Sequence, residues 1–122
     1  MNPYLKLTSY ILPQEINESF ELKEVIENES GLHIYLEEKG RQPEGYGKLQ
    51  PNGFYEETQI RDFPIRDRKV TLHVKRRRWK DSTGKSISKD WELVAKGTRH
   101  SKEFAAFLKG MLGEIPDYGP LS

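Results

Sequence analysis

The chain has 122 residues and a mass of 14.2 kDa; 34% of its residues are hydrophobic, 32% are charged, and none is cysteine. That length suits one domain around a modest core. A disulfide scaffold and a thiolate metal site are excluded, and no apolar run reaches the roughly 20 residues of a membrane span. The formal charge is only +1, but residues 1–60 hold five Lys/Arg against eleven Asp/Glu, whereas residues 61–109 hold fifteen against six. Taken in chain order, residues 4–12 suit a short helix that Pro13 ends, because proline lacks the amide donor and disfavours helix in the residue before it. Residues 20–27 and 32–39 read as a hairpin. Leu32, Ile34 and Leu36 alternate with His33, Tyr35 and Glu37, a period of two, and Asn28-Glu29-Ser30-Gly31 tolerates a turn.

Residues 40–53 contain Gly40, Gly45, Gly47 and Gly53 with Pro43 and Pro51, which reads as a long surface loop. Strands are expected over 54–62 and 69–79, linked by a turn anchored through Phe63 and Ile65. A polar turn at 81–85 then reverses the chain into a strand over 87–94, with Trp91 and Leu93 on one face. Ser101 is placed to cap a final helix, with Glu103 at the positive end of its dipole. Phe104, Phe107, Leu108 and Met111 recur at i, i+3, i+4 and i+7, one apolar stripe, and Gly110 or Gly113 ends the helix. The expected fold class is α+β, a mostly antiparallel sheet of about five strands with short helices at both ends. Residues 1–112 form the domain, and 113–122 a flexible tail or linker. The opening residues lack the basic-then-apolar order of a secretory signal, so a soluble cytoplasmic protein is expected, with no membrane contact.

The segment richest in chemistry is Lys75-Arg76-Arg77-Arg78-Trp79-Lys80. On a strand, Arg76 and Arg78 point one way and Lys75 and Arg77 the other. Burying either set unpaired is costly, so both meet solvent, acids or a ligand. Arginine matches phosphate bidentately, and a two-stranded ribbon fits a major groove. Lys85 and Lys89 across the turn extend the positive field, and Arg66, Arg68 and Lys69 at the far end of the strand broaden it, as do Lys96, Arg99 and Lys102 before the last helix. The plainer alternative is a solvated edge kept from pairing with other chains by its charges. Trp79 and Trp91 suit core or cross-strand packing better than base stacking.

A catalytic set does not emerge. His33, His73 and His100 fall on three different elements without metal-ligand spacing. Glu37-Glu38 and Glu56-Glu57 are adjacent pairs, which a strand sends to opposite faces, and the glycines at 40–53 fit no phosphate-cradling motif. No enzyme activity, metal or cofactor is expected.

The order of segments is itself informative: Leu32-His33-Ile34-Tyr35-Leu36-Glu37-Glu38-Lys39, Gly53-Phe54-Tyr55-Glu56-Glu57, Asp62-Phe63-Pro64-Ile65-Arg66, the strand from Val70 to Trp79, and Lys102-Glu103-Phe104-Ala105-Ala106-Phe107-Leu108. Over most of residues 20–108 this resembles the small N-terminal region protein of bacterial insertion-sequence transposases, which is encoded ahead of a separate catalytic chain. More distantly, residues 50–85 are similar to the zinc-ribbon N-terminal region of larger transposases. Where that ribbon has cysteines after the Arg-Arg-aromatic strand end, this chain has Lys80, Asp81, Ser82 and Thr83, so no zinc is implied.

The resemblance implies a non-catalytic DNA-binding or accessory domain in transposition and DNA recombination. Lys75, Arg76, Arg77, Arg78 and Lys80 would touch phosphates at transposon ends, with Arg66, Arg68, Lys69, Lys85 and Lys89 secondary. The partners implied are DNA and the separately encoded catalytic transposase chain. Six to ten phosphate contacts imply an affinity falling about 10³–10⁵ between 50 and 200 mM salt. The alternative is a protein-interaction subunit docking on the catalytic chain through its acidic 15–57 portion and the stripe of the last helix, and a weaker third reading is an RNA-binding module.

Overall fold

The computed structural model describes residue 8 and residues 11–65, 69–97 and 99–113. These residues form seven strands and three helices in an α+β arrangement. In chain order they are α1 (Gln14–Ser19), β1 (Phe20–Asn28), β2 (Gly31–Glu38), β3 (Gln50–Phe54), β4 (Thr58–Ile60), β5 (Val70–Lys75), β6 (Arg77–Lys80), β7 (Ser86–Ile87), α2 (Trp91–Gly97) and α3 (Lys102–Leu112). A four-stranded sheet has the order β1-β2-β5-β4, and a smaller one the order β3-β6-β7. No described helix is long and apolar enough to cross a membrane.

Most of the helix expected over 4–12 lies outside the described residues. Pro13, read as a stop, also serves as a start: it is the N-cap of α1, and its carbonyl accepts from the amides of Ile16 and Asn17 at 3.0 and 3.2 Å. A proline at a helix entry sacrifices only a donor that has no helical partner there.

The first hairpin forms as the alternation predicts, pairing Leu22 with Leu36 and Val25 with Ile34. A bulge at Lys23 shifts the register between those pairs. Uninterrupted alternation would turn Ile26 inward with Leu22; the extra residue turns Val25 inward and leaves Ile26 43% exposed. At the turn, Gly31 takes φ +117, and a Cβ there would stand 2.4 Å from the Lys69 carbonyl oxygen. That same carbonyl accepts the Leu32 amide at 2.8 Å, starting the parallel pairing of β2 with β5.

Four expectations are corrected. The loop over 40–53 ends early, because residues from Gln50 onward pair with β6. The strand over 54–62 breaks into the end of β3 and a three-residue β4 in the other sheet. The strand over 69–79 is likewise divided at Arg76, where the chain leaves the larger sheet for the smaller. The Arg76 carbonyl accepts from Tyr55, and the Arg77 amide turns to the Glu38 carboxylate at 2.9 Å.

The strand expected over 87–94 is the largest difference. Only Ser86 and Ile87 are strand, and residues 91–97 are helix. Asp90 starts that helix: its Oδ1 accepts the Leu93 amide at 3.0 Å, N-cap behaviour. Trp91 and Ala95, one turn apart, are buried, while Leu93 is 64% exposed. The Trp91/Leu93 alternation therefore does not describe a sheet face.

The last helix forms as expected. Ser101 Oγ accepts the Phe104 amide at 3.1 Å, and Gly113, at φ 85, closes the helix. Its stripe of Phe104, Phe107 and Leu108 joins Ile34, Leu36, Ile60, Leu72, Val74 and Trp91 in the main core. Phe20 stands at the junction, stacked on Trp91 at 5.4 Å and edge-on to Phe107 at 5.3 Å between ring centroids. Leu49, Trp79 and Ile87 form a separate small cluster on the second sheet. Both tryptophans are thus packing residues.

Candidate nucleic-acid interface

The basic segment sits where the chain passes between the two sheets. Side chains on either side of that crossing keep the alternation of an extended backbone. Arg76 and Arg78 both lie over the Tyr55 ring, their guanidinium carbons 5.3 and 5.6 Å from its centroid. Arg77 goes the other way, over Phe54 at 4.6 Å, and its Nε donates to the Glu38 carbonyl at 3.1 Å. Arg78 Nε donates to the Asn52 carbonyl at 3.1 Å.

Among the described residues no carboxylate oxygen lies within 4 Å of these guanidinium groups. Arg76 and Arg78 are therefore oriented by an aromatic face and, for Arg78, a carbonyl, with no carboxylate of the described residues at contact distance. Glu38 meets Arg77 through that residue's amide. Burial holds the Glu38 carboxyl above its ordinary range, opposed by the Arg77 amide and by the charges of Lys89, Arg76 and Arg77.

The hairpin tip is held by the Asp81 side chain. Asp81 Oδ1 accepts from the Thr83 amide and hydroxyl at 2.8 and 2.6 Å and from the Lys85 amide at 3.0 Å. The Thr83 hydrogen bond is the main cause of a lowered Asp81 pKa. Trp79 pairs with Ile87 and Lys80 with Ser86 across this turn, leaving Lys80 and Lys85 exposed. Among the described residues no group of three or more potential metal ligands is assembled.

The other candidates are dispersed. Lys75 is exposed at the end of β5, opposite Glu37. Lys89 is half-buried with its ammonium 4.5 Å from the Trp91 ring centroid. Lys69 precedes β5, about 20 Å from Lys75 at the rise of an extended strand. Arg66 and Arg68 lie outside the described residues. Lys96 and Lys102 belong to α2 and α3 and Arg99 to the link between them. The structure thus gathers Arg76, Arg78 and Tyr55, with Lys75 next to them in sequence and Lys80 and Lys85 at the tip. Phe104 and Phe107 are 3% and 0% exposed, so the stripe proposed for docking on a partner is spent in the core.

The fold joins one constellation whose members lie far apart in the sequence. The parallel pairing of β2 with β5 sets Tyr35 beside His73 and His33 beside Thr71. His33 Nδ1 lies 2.8 Å from His73 Nε2, and His73 Nδ1 lies 2.8 Å from Glu57 Oε2. No local spacing announces this cluster; period-two placement of both histidines on the face opposite the core was the available signal.

No known protein family, curated protein or solved structure matches the chain.

Proposed function

We propose that the chain grips a nucleic-acid backbone through Arg76 and Arg78, with Lys75, Lys80 and Lys85 around them, as a non-catalytic DNA-binding accessory domain of a transposition system. The observation that carries the reading is the pair of guanidinium groups held over one Tyr55 ring with no described carboxylate at contact distance. A ring under a guanidinium limits its motion while leaving in-plane donors for phosphate oxygens. The two-residue β7 makes a short ribbon, which suits contact with phosphates more than deep entry into a groove. The transposition setting and the catalytic partner chain rest on the sequence resemblance alone.

The test is a salt titration of binding to a short DNA duplex, with single-stranded DNA and RNA probes alongside. Five cation–phosphate contacts give a slope of about −4.5 in log affinity against log salt, roughly a 500-fold loss between 50 and 200 mM. Arg76→Ala/Arg78→Ala should reduce that slope by about 2 while keeping the circular dichroism spectrum. A slope near zero, or one that this double variant leaves unchanged, rejects the reading. Transposon-end and scrambled duplexes compared at one salt concentration test the DNA site.

A further inference from the structure

The His33–His73–Glu57 line continues to the surface. Ser30, exposed at the tip of the first hairpin, has its Oγ 2.6 Å from His33 Nε2 and 2.6 Å from Asn28 Oδ1. Asn28 Oδ1 also accepts the Ser30 amide at 2.9 Å, which fixes that atom as an acceptor. The line therefore has an acceptor at each end, Asn28 and Glu57, with four links between them. Each link needs one proton. Two neutral imidazoles and one hydroxyl supply three, so with both rings neutral the Ser30 hydroxyl donates to only one of its two acceptors, Asn28 Oδ1 or His33 Nε2. Tyr35 stacks on His73 at 4.2 Å and 12°, and His73 is only 7% exposed, so the ring that joins the two ends is held in place.

We infer that Ser30 is a nucleophilic hydroxyl that accepts acyl groups from activated esters, with His33 as its general base and His73 and Glu57 as positioning residues. With both rings neutral, the Ser30 hydroxyl can turn from Asn28 to donate to His33 Nε2, a serine–imidazole pair oriented by a third group. Attack forms the bond from Oγ to the acyl carbon, and the hydroxyl proton passes to His33 Nε2. The ester C–O bond then breaks, and the leaving oxygen takes that proton. The products are O-acyl-Ser30 and an alcohol, with no oxidant or reductant involved. Glu57 remains a carboxylate throughout, its pKa lowered chiefly by the His73 hydrogen bond. The charged or titratable groups placed on the same sheet face by the register are Glu21 and Glu24 on β1, Tyr35 and Glu37 on β2 and Lys75 on β5. Ile26, opposite His33 and 43% exposed, offers an apolar contact for a small acyl group.

The test is treatment of the full chain with p-nitrophenyl acetate, with the acetylated residue located by peptide mass mapping across a pH series. Expected are one acetyl group on Ser30 and little label on the exposed Ser82 of the other hairpin tip. His33→Gln should slow Ser30 labelling by about 10², the usual contribution of a general base. Glu57→Gln should alter its pH profile while keeping the fold by circular dichroism. Label confined to lysines, or Ser30 labelling that His33→Gln leaves unchanged, overturns the inference.

Discussion

Arg77 and Arg78 are neighbours in a run of three identical residues, yet the fold gives them different work. Arg78 lies with Arg76 over Tyr55, whereas Arg77 lies against Phe54 and donates to the Glu38 carbonyl. Glu38 supplies the acceptor for the Arg77 amide at the point where the chain changes sheets. Burial raises its pKa, so the folded protein holds that proton more tightly than the unfolded chain does. The resulting stability is complete below the ordinary carboxylate range and is lost as pH rises through the raised value. Glu38→Gln keeps an acceptor oxygen and removes the titration. It should melt at or above the wild-type temperature at pH 7 and level with it at pH 4. Glu38→Ala strands the Arg77 amide and should cost about 1–3 kcal/mol at either pH. Glu57 has the opposite sign: its lowered pKa contributes stability above the ordinary carboxylate range that is lost as pH falls. Glu57→Gln should therefore flatten the acid limb of the stability profile, read by thermal melts between pH 3 and 7.

At the scale of elements, the contact of α3 with β4 is the tightest test of packing. Gly110 sits inside α3, where alanine would ordinarily favour the helix by about 1 kcal/mol. A Cβ at that position would lie 2.5 and 2.8 Å from the Ile60 Cγ2 and Cγ1 atoms. Overlap with a buried branched side chain outweighs the propensity gain, so Gly110→Ala should lower the midpoint of urea unfolding. Ile60→Ala creates a cavity and should also destabilise. The double variant should be more stable than the sum of the two losses predicts, because the added methyl enters the space the isoleucine vacates. Strict additivity would show that the helix had shifted away from β4. The same close approach explains why Gly110 does not end the helix: it lets α3 lie against the sheet, and the stop falls to Gly113.

Across the whole molecule, two cores of unequal size set the order of local opening. Among the described residues, the larger buries sixteen between the four-stranded sheet and the helices, and the smaller Leu49, Trp79 and Ile87. Segments with few apolar contacts open at lower free energy than the global unfolding. The amides of β6 and β7 should accordingly exchange with solvent before those of β2 and β5 in a native-state hydrogen-exchange experiment. Equal protection in both sheets would mean that they unfold as one unit. The proposed phosphate-binding tip thus belongs to the less stable sheet, while Arg76, at the crossing, is joined to the more stable one. A ribbon able to adjust at its tip but fixed at its root suits an uneven phosphate surface.

The sequence alone determined the elements whose signals are local. The 20–39 hairpin, the polar turn at 81–85 and the capped helix with its Phe104, Phe107 and Leu108 stripe each carry their signal in nearby residues, and all three formed, the hairpin with a bulge at Lys23. The α2 helix was also locally encoded, by Asp90 ahead of Trp91, Val94 and Ala95, but the two-residue alternation of Trp91 and Leu93 masked it. Features that depend on distant partners were settled by the folded chain. The parallel meeting of β2 and β5 brought His33 to His73 across forty positions of chain, and the carboxylate of Glu38 helped divide one apparent strand between two sheets at Arg76. The bulge at Lys23 chose Val25 over Ile26 for the core. Such choices are settled by burial and by pairing of backbone groups across the fold, and no window along the chain contains both partners.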